Sequence, residues 1–253
     1  MAQQQTYFFG PILQTLENAF RQIETEVPRP VQGSDGRFRY SEQTIQQAIV
    51  QKLARIISGL HSVEALLERG LFQEQGIMQR TIDEIEQDIW FLCLAVINSD
   101  ITGLHTEYLQ YFYSEEFADA GDLVGSRIGR GMVKRDKIRA YVHRSSLSGP
   151  ELERANEVGK TITKAYSGYI HAASPHIMDM YFPDQFDVSG ALKQYRYDSH
   201  RRDAQNVFYR AITAMAVAAK AFGNEPLFES LHSFASKVDA EMRSQPRGRP
   251  ANG

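Results

Sequence analysis

The chain is poor in the features that would classify it quickly. Only one of its 253 residues is a cysteine, Cys93. A lone cysteine rules out an internal disulfide and suits a reducing compartment. Because Cys93 lies in an apolar stretch, it reads as a buried, inert thiol rather than a nucleophile. No long hydrophobic run is present. The most apolar segment, Ala211 to Phe222, is too short to span a bilayer and carries Lys220. The opening MAQQQTYFFG lacks the basic start and apolar run of a signal peptide, so a soluble, cytoplasmic protein with no membrane partner is expected. Charge is nearly balanced at −3, which excludes a globally basic nucleic-acid binder but leaves room for a local patch. No β-strand alternation and no internal repeat is visible. No Glu-x-x-His pair of the kind that builds a di-iron bundle occurs. His171 and His176 stand five apart across Pro175, with Asp179 following, a poor ligand spacing. Neither a metal nor a cofactor is expected.

What is present is helical periodicity. Phe9, Ile12, Leu13, Leu16, Phe20 and Ile23 make one side of a helix over 6–27, with Pro11 tolerated in its first turn. The link VQGSDGRFRY is rich in turn formers. Ser41, with Thr44 three residues on, is expected to start a second helix. Its seam is Ile45, Ile49, Leu53, Ile56, Leu60, Val63 and Leu67, a bundle spacing. Gly70 breaks it, and a third helix follows to Asn98, antiparallel to the second. There Met78, Ile82, Ile85, Ile89, Leu92 and Val96 form an apolar stripe, while Arg80, Glu84, Gln87 and Phe91 share the opposite face. Phe91 needs cover, so contact on both sides is expected.

An aromatic helix comes next, with Tyr108, Tyr111, Phe112, Tyr113 and Phe117 read as packing residues. Ser148-Gly149-Pro150-Glu151 reads as the cap of a helix through Ala173, with Leu152, Ala155, Val158, Ile162, Tyr166 and Tyr169 inward. Ser174-Pro175 ends or kinks it, and an irregular span, a candidate lid, lasts to Tyr197. A helix from about Asp203 to Phe222 carries a small-residue seam (Ala204, Val207, Ala211, Ala214, Ala218, Ala221) that suits a central position. The last helix covers about Pro226 to Met242. The expectation is one all-α domain over 1–243, a bundle of six or more helices. Within it, 1–40 is an N-terminal helix and linker and 41–243 the bundle. The tail 244–253 is expected to be disordered.

Two clusters could carry chemistry. The first joins Arg80 and Glu84 with Ser167 and His171, which are one turn apart, and with Tyr166. Lys160 and Lys164 share the side of Ser167 and His171. If the two helices face each other, His171 can act as a general base, Arg80 can stabilise an anion and Glu84 can orient either. The plainer reading is two solvated helix faces with ordinary i, i+4 pairs. The second cluster is the basic stretch Arg127, Arg130, Lys134, Arg135, Arg139 and Arg144, with Lys137 and His143 among them. It can grip phosphates or simply be a solvated surface. GSRIGRG is no P-loop, since the Gly-Lys-Ser/Thr ending is missing and no strand precedes it.

The segments LLERGLFQEQGIMQRTIDEIEQDIWFL and KAYSGYIHAASP resemble a widespread, poorly characterised group of bacterial all-helical proteins. That group pairs an arginine-threonine…glutamate helix with a tyrosine-serine…tyrosine…histidine-alanine helix. Here these are Arg80, Thr81 and Glu84, then Tyr166, Ser167, Tyr169, His171 and Ala172. More distantly the group is similar to the HEPN helical domains, many of them metal-independent ribonucleases of toxin and anti-phage systems. The HEPN signature, arginine then four to six residues then histidine, is not met as such. Arg55 to His61 has the spacing, but Ile56 replaces the polar residue, and the two side chains point about 120° apart on a helix. Arg139 to His143 and Arg196 to His200 are one residue short. The resemblance implies an HEPN-like bundle that binds or cleaves RNA or a nucleotide. The alternative is a non-catalytic helical interaction module, assembled with itself or with a partner protein.

Overall fold

The computed structural model describes residues 8–33, 35–119, 121–146, 157, 161, 163–191 and 193–244. The protein is an all-α bundle, with one minimal hairpin as its only sheet among these residues. Helix α1 spans Phe9–Glu24 and buries the expected stripe of Phe9, Ile12, Leu13, Leu16, Phe20 and Ile23. The link after it is not wholly irregular. β1 (Val31–Gln32) pairs antiparallel with β2 (Phe38–Arg39). Gly36 turns the chain between them at φ +78°, a conformation that costs glycine little.

Helix α2 covers Ile45–Glu68. Its cap is Thr44, not Ser41: the Gln47 amide donates to Thr44 Oγ1 at 3.2 Å, and the Thr44 amide donates to Gln47 Oε1 at 3.0 Å. A glutamine three residues past the cap completes this reciprocal pair, which Ser41 followed by Thr44 could not do. All seven residues of the expected seam are buried. Gly70, at φ +71°, turns the chain into α3 (Phe72–Ile97). The two helices touch closely at Gly59, where a Cβ would stand 2.9 Å from the Ile82 side chain.

Helix α4 (Gly103–Tyr113) ends before Phe117, which instead bridges Arg127 in the following loop. Helix α5 (Arg135–Ser146) docks on α3. The expected cap at 148–151 and the inward residues Leu152, Ala155, Val158 and Ile162 lie outside the described residues, as does the tail beyond Ser244. The described part of the next helix, α6, covers 163–170. Ser174-Pro175 opens a short helix, α7 (Ser174–Met178), rather than closing a long one; proline fits a first turn, where its missing N–H is no loss.

Helix α8 (Tyr197–Ala221) begins about six residues earlier than its apolar pattern suggests. Tertiary contacts fasten the extra turns: the Tyr197 hydroxyl donates to Glu68 at 2.6 Å, and the His200 ring stacks on Phe72 at 4.2 Å. Its alanine seam is buried, apart from a partly buried Ala221, and α8 packs against α1, α2, α3 and α9 (Glu225–Ser244). Among the described residues no helix is long and apolar enough to cross a membrane.

Candidate functional site

Helix α3 is buried almost all round, and its polar face is covered along with its apolar stripe. Gln75, Gln79, Arg80, Asp83, Glu86 and Asp88 are all buried. A buried charge is tolerated only with a partner, and each neighbouring helix supplies one. Arg210 of α8 reaches Asp83 at 2.6 Å and Glu86 at 3.1 Å. Lys52 of α2 meets Asp88 at 2.7 Å, and Arg135 of α5 binds the other oxygen of the same carboxylate. Arg135 also donates to the Glu84 carbonyl at 2.6 Å. Three helices are therefore tied to α3 by charge.

The predicted pair Arg80 and Glu84 does form: the guanidinium binds Glu84 and lies 3.6 Å from Asp83. It is a buried cation held by its own helix, not a solvated i, i+4 contact. Tyr166 of α6 is close enough to this group for Asp203, Arg210 and Asp83 to act on it. Burial first, and then Asp203, raise its pKa above the ordinary phenol range. Burial likewise raises the pKa of Asp203, against the pull of Arg202. Glu86 is pushed up to about 7 by burial, a shift that Arg210 opposes and Asp83 reinforces. Burial disfavours the Arg210 cation, but Glu86 and Asp83 outweigh it and raise its pKa.

Ser167 and His171 stand elsewhere. They line an open cleft of about 540 Å³ between α5 and α6, together with Asp136, Arg139, Thr163 and Lys164. Arg80 and Glu84 are not among its lining residues. Ser167 is partly buried and His171 is exposed. Helix α6 is held in place by a close approach to α3, where a Cβ on Gly76 would meet the Tyr169 ring at 2.7 Å. His176 secures its other end, with Nε2 placed 3.0 Å from the Ala165 carbonyl. Among the described residues no group of three His, Cys, Asp or Glu side chains is placed to hold a metal ion.

The basic stretch divides between the exposed loop before α5 and the two faces of α5 itself. Arg127, Arg130, Lys134 and Arg144 are exposed. Arg135 and Arg139 share the inward face of α5 with Ile138 and are engaged, Arg135 with Asp88 and Arg139 with Asp136 at 3.6 Å. Arg139 is 6% exposed, and its Nε has no hydrogen-bond partner. A guanidinium buried this way at the wall of an open cleft is suited to an anion, because the free N–H is desolvated at a cost that an anionic acceptor would offset. Lys164 adds a second cation, Ser167 and Thr163 add hydroxyls, and His171 adds an imidazole. Asp83, Glu86, Lys52 and Arg210 entered no candidate site from sequence. The only signal for them was a run of polar residues on α3 too dense for a helix covered on both sides.

Set against known proteins, the chain matches no family model, no curated protein sequence and no solved structure.

Proposed function

We propose that this protein binds RNA or a nucleotide through a phosphate held in the α5–α6 cleft, and that His171 serves there as general base in RNA cleavage. The observation that carries the reading is the placement of a buried Arg139, its Nε without a partner, in the same open cleft as Lys164, Ser167 and His171. In this arrangement Arg139 and Lys164 hold the phosphate. His171 takes the proton of the adjacent 2′-hydroxyl, whose oxygen attacks phosphorus, and the 5′-oxygen leaves with a proton from solvent. Arg80, engaged with Glu84 and Asp83, passes the anion-holding role to Arg139; with Glu84 and Tyr166 it supports the helices that carry the cleft. The exposed Arg127, Arg130, Lys134 and Arg144 extend the contact along the backbone of the nucleic acid. The resemblance to HEPN ribonucleases of toxin and anti-phage systems supports the same assignment.

A second reading, an interaction module that assembles with itself or a partner protein, is favoured by a different observation. Met178 at the end of α7, and Phe186, Val188 and Tyr195 between α7 and α8, are all exposed, an unusual concentration of apolar surface. One experiment separates the two. Total RNA is incubated in EDTA with wild type, His171→Ala and Lys164→Ala. Cleavage by wild type, reduced by roughly 10²-fold or more in His171→Ala with RNA binding retained, is the expected result. Intact RNA with all three proteins leaves the interaction module, and equal cleavage by wild type and His171→Ala removes the base assignment.

A further inference from the structure

A second cavity, between α2, α3, α4, the loop over 130–133 and the N-terminal end of α5, shares no lining residue with the cleft. It measures about 220 Å³, against the roughly 150 Å³ that admits a benzene ring in an apolar protein core. Its character is mixed in an informative way. One wall is aromatic, formed by Tyr108, Tyr111 and Phe112 of α4. Lys52 places its ammonium 4.9 Å from the Phe112 ring centre and 5.6 Å from that of Tyr108. Lys52 and Arg135 share the single carboxylate of Asp88, so positive charge is left over at the wall.

Donors remain at this wall. Asp88 is taken by two cations, the Glu84 carboxylate by Arg80, and the Glu84 carbonyl by Arg135. The Tyr108 hydroxyl is buried beside Asp88, which raises its pKa, after burial, by its charge and by accepting a hydrogen bond. Arg135 Nε is buried without a partner. Unsatisfied buried donors are costly, and the group that would satisfy them is an anionic acceptor. The volume and the aromatic wall select a flat ring to carry it.

We propose that this cavity binds a small planar aromatic anion. Its ring lies among Tyr108, Tyr111 and Phe112, and its anionic group accepts from Lys52 and Arg135. The site does not use the cleft, so it stands or falls apart from RNA binding.

Benzoate is the probe, with benzamide as its neutral counterpart and acetate as the anion without a ring. Calorimetric titration of the full chain is expected to show saturable binding of one benzoate, with benzamide and acetate at least tenfold weaker. Lys52→Gln and Tyr111→Ala are each expected to weaken benzoate at least tenfold. Phe112→Leu, which keeps the apolar bulk and removes only the ring, is expected to weaken it about fivefold and serves if the other two variants fail to fold. Absence of saturable benzoate binding to wild type overturns the site, as does an affinity that the folded variants leave within twofold. Equal affinity for benzamide overturns the anionic ligand class.

Discussion

Glu86 holds its proton to about pH 7 in the fold and releases it near 4.5 when exposed. Between those values the folded state carries the extra proton. Its contribution to stability is therefore present below pH 4.5 and lost as pH rises through 7, by on the order of 3 kcal/mol. His200, buried against Phe72 and pushed from 6.5 down to about 4 by burial and then by Arg196, does the opposite. Its unfolded form binds the extra proton between those values, so stability falls as pH drops through that window. The two slopes overlap and partly cancel in the wild type. Glu86→Gln is expected to expose the His200 slope and to gain on wild type as pH rises. Urea midpoints at pH 5 and pH 8 check this, and an identical pH dependence in both proteins would count against the Glu86 assignment. At this scale sequence showed the pairing of Arg80 with Glu84 but not the fate of that pair. Spacing of three or four says that two residues share a helix face; it does not say whether another helix covers the face. The inward turn of Arg135 and Arg139 was hidden for the same reason, because it is Ile138 that draws their side of α5 inward.

The helices are joined at a few points where substitution has a defined cost. Gly76 of α3 lies against the Tyr169 ring, and Gly76→Ala pushes a methyl into it. A loss of about 1–3 kcal/mol is expected, with RNA binding in the cleft falling alongside because α6 forms one wall. A thermal midpoint unchanged from wild type would show that α6 docks by other means. Asp88 is the single anion between Lys52 and Arg135. Asp88→Ala leaves two confined cations without a counter-charge, and a cost of about 3–5 kcal/mol is expected from denaturant unfolding. The seams of α1 and α2 and the turn at Gly70 were legible in the sequence, since each follows from apolar spacing and turn chemistry alone. The start of α8 was not. Its first turns contain Arg201 and Arg202 and are fastened by Tyr197 on Glu68, His200 on Phe72 and Gln75 on the His200 carbonyl, contacts that bring together residues more than a hundred positions apart.

The whole molecule is organised about α8, whose small side chains let α1, α2, α3 and α9 approach. Hydrogen exchange is expected to be slowest in residues 204–219 and 86–95, where side chains are mostly buried. It should be much faster in 178–196, which has few regular hydrogen bonds. Comparable protection in both regions would deny α8 its central place. The same centre contains the only sulfhydryl of the chain. Cys93 is fully buried, and burial drives its pKa well above that of a free thiol. A disulfide reagent such as Ellman's then meets no thiolate while the bundle is closed. Its colour develops only as fast as whole molecules come apart, so this one atom of sulfur is a built-in stopwatch for opening, read in a cuvette without any label.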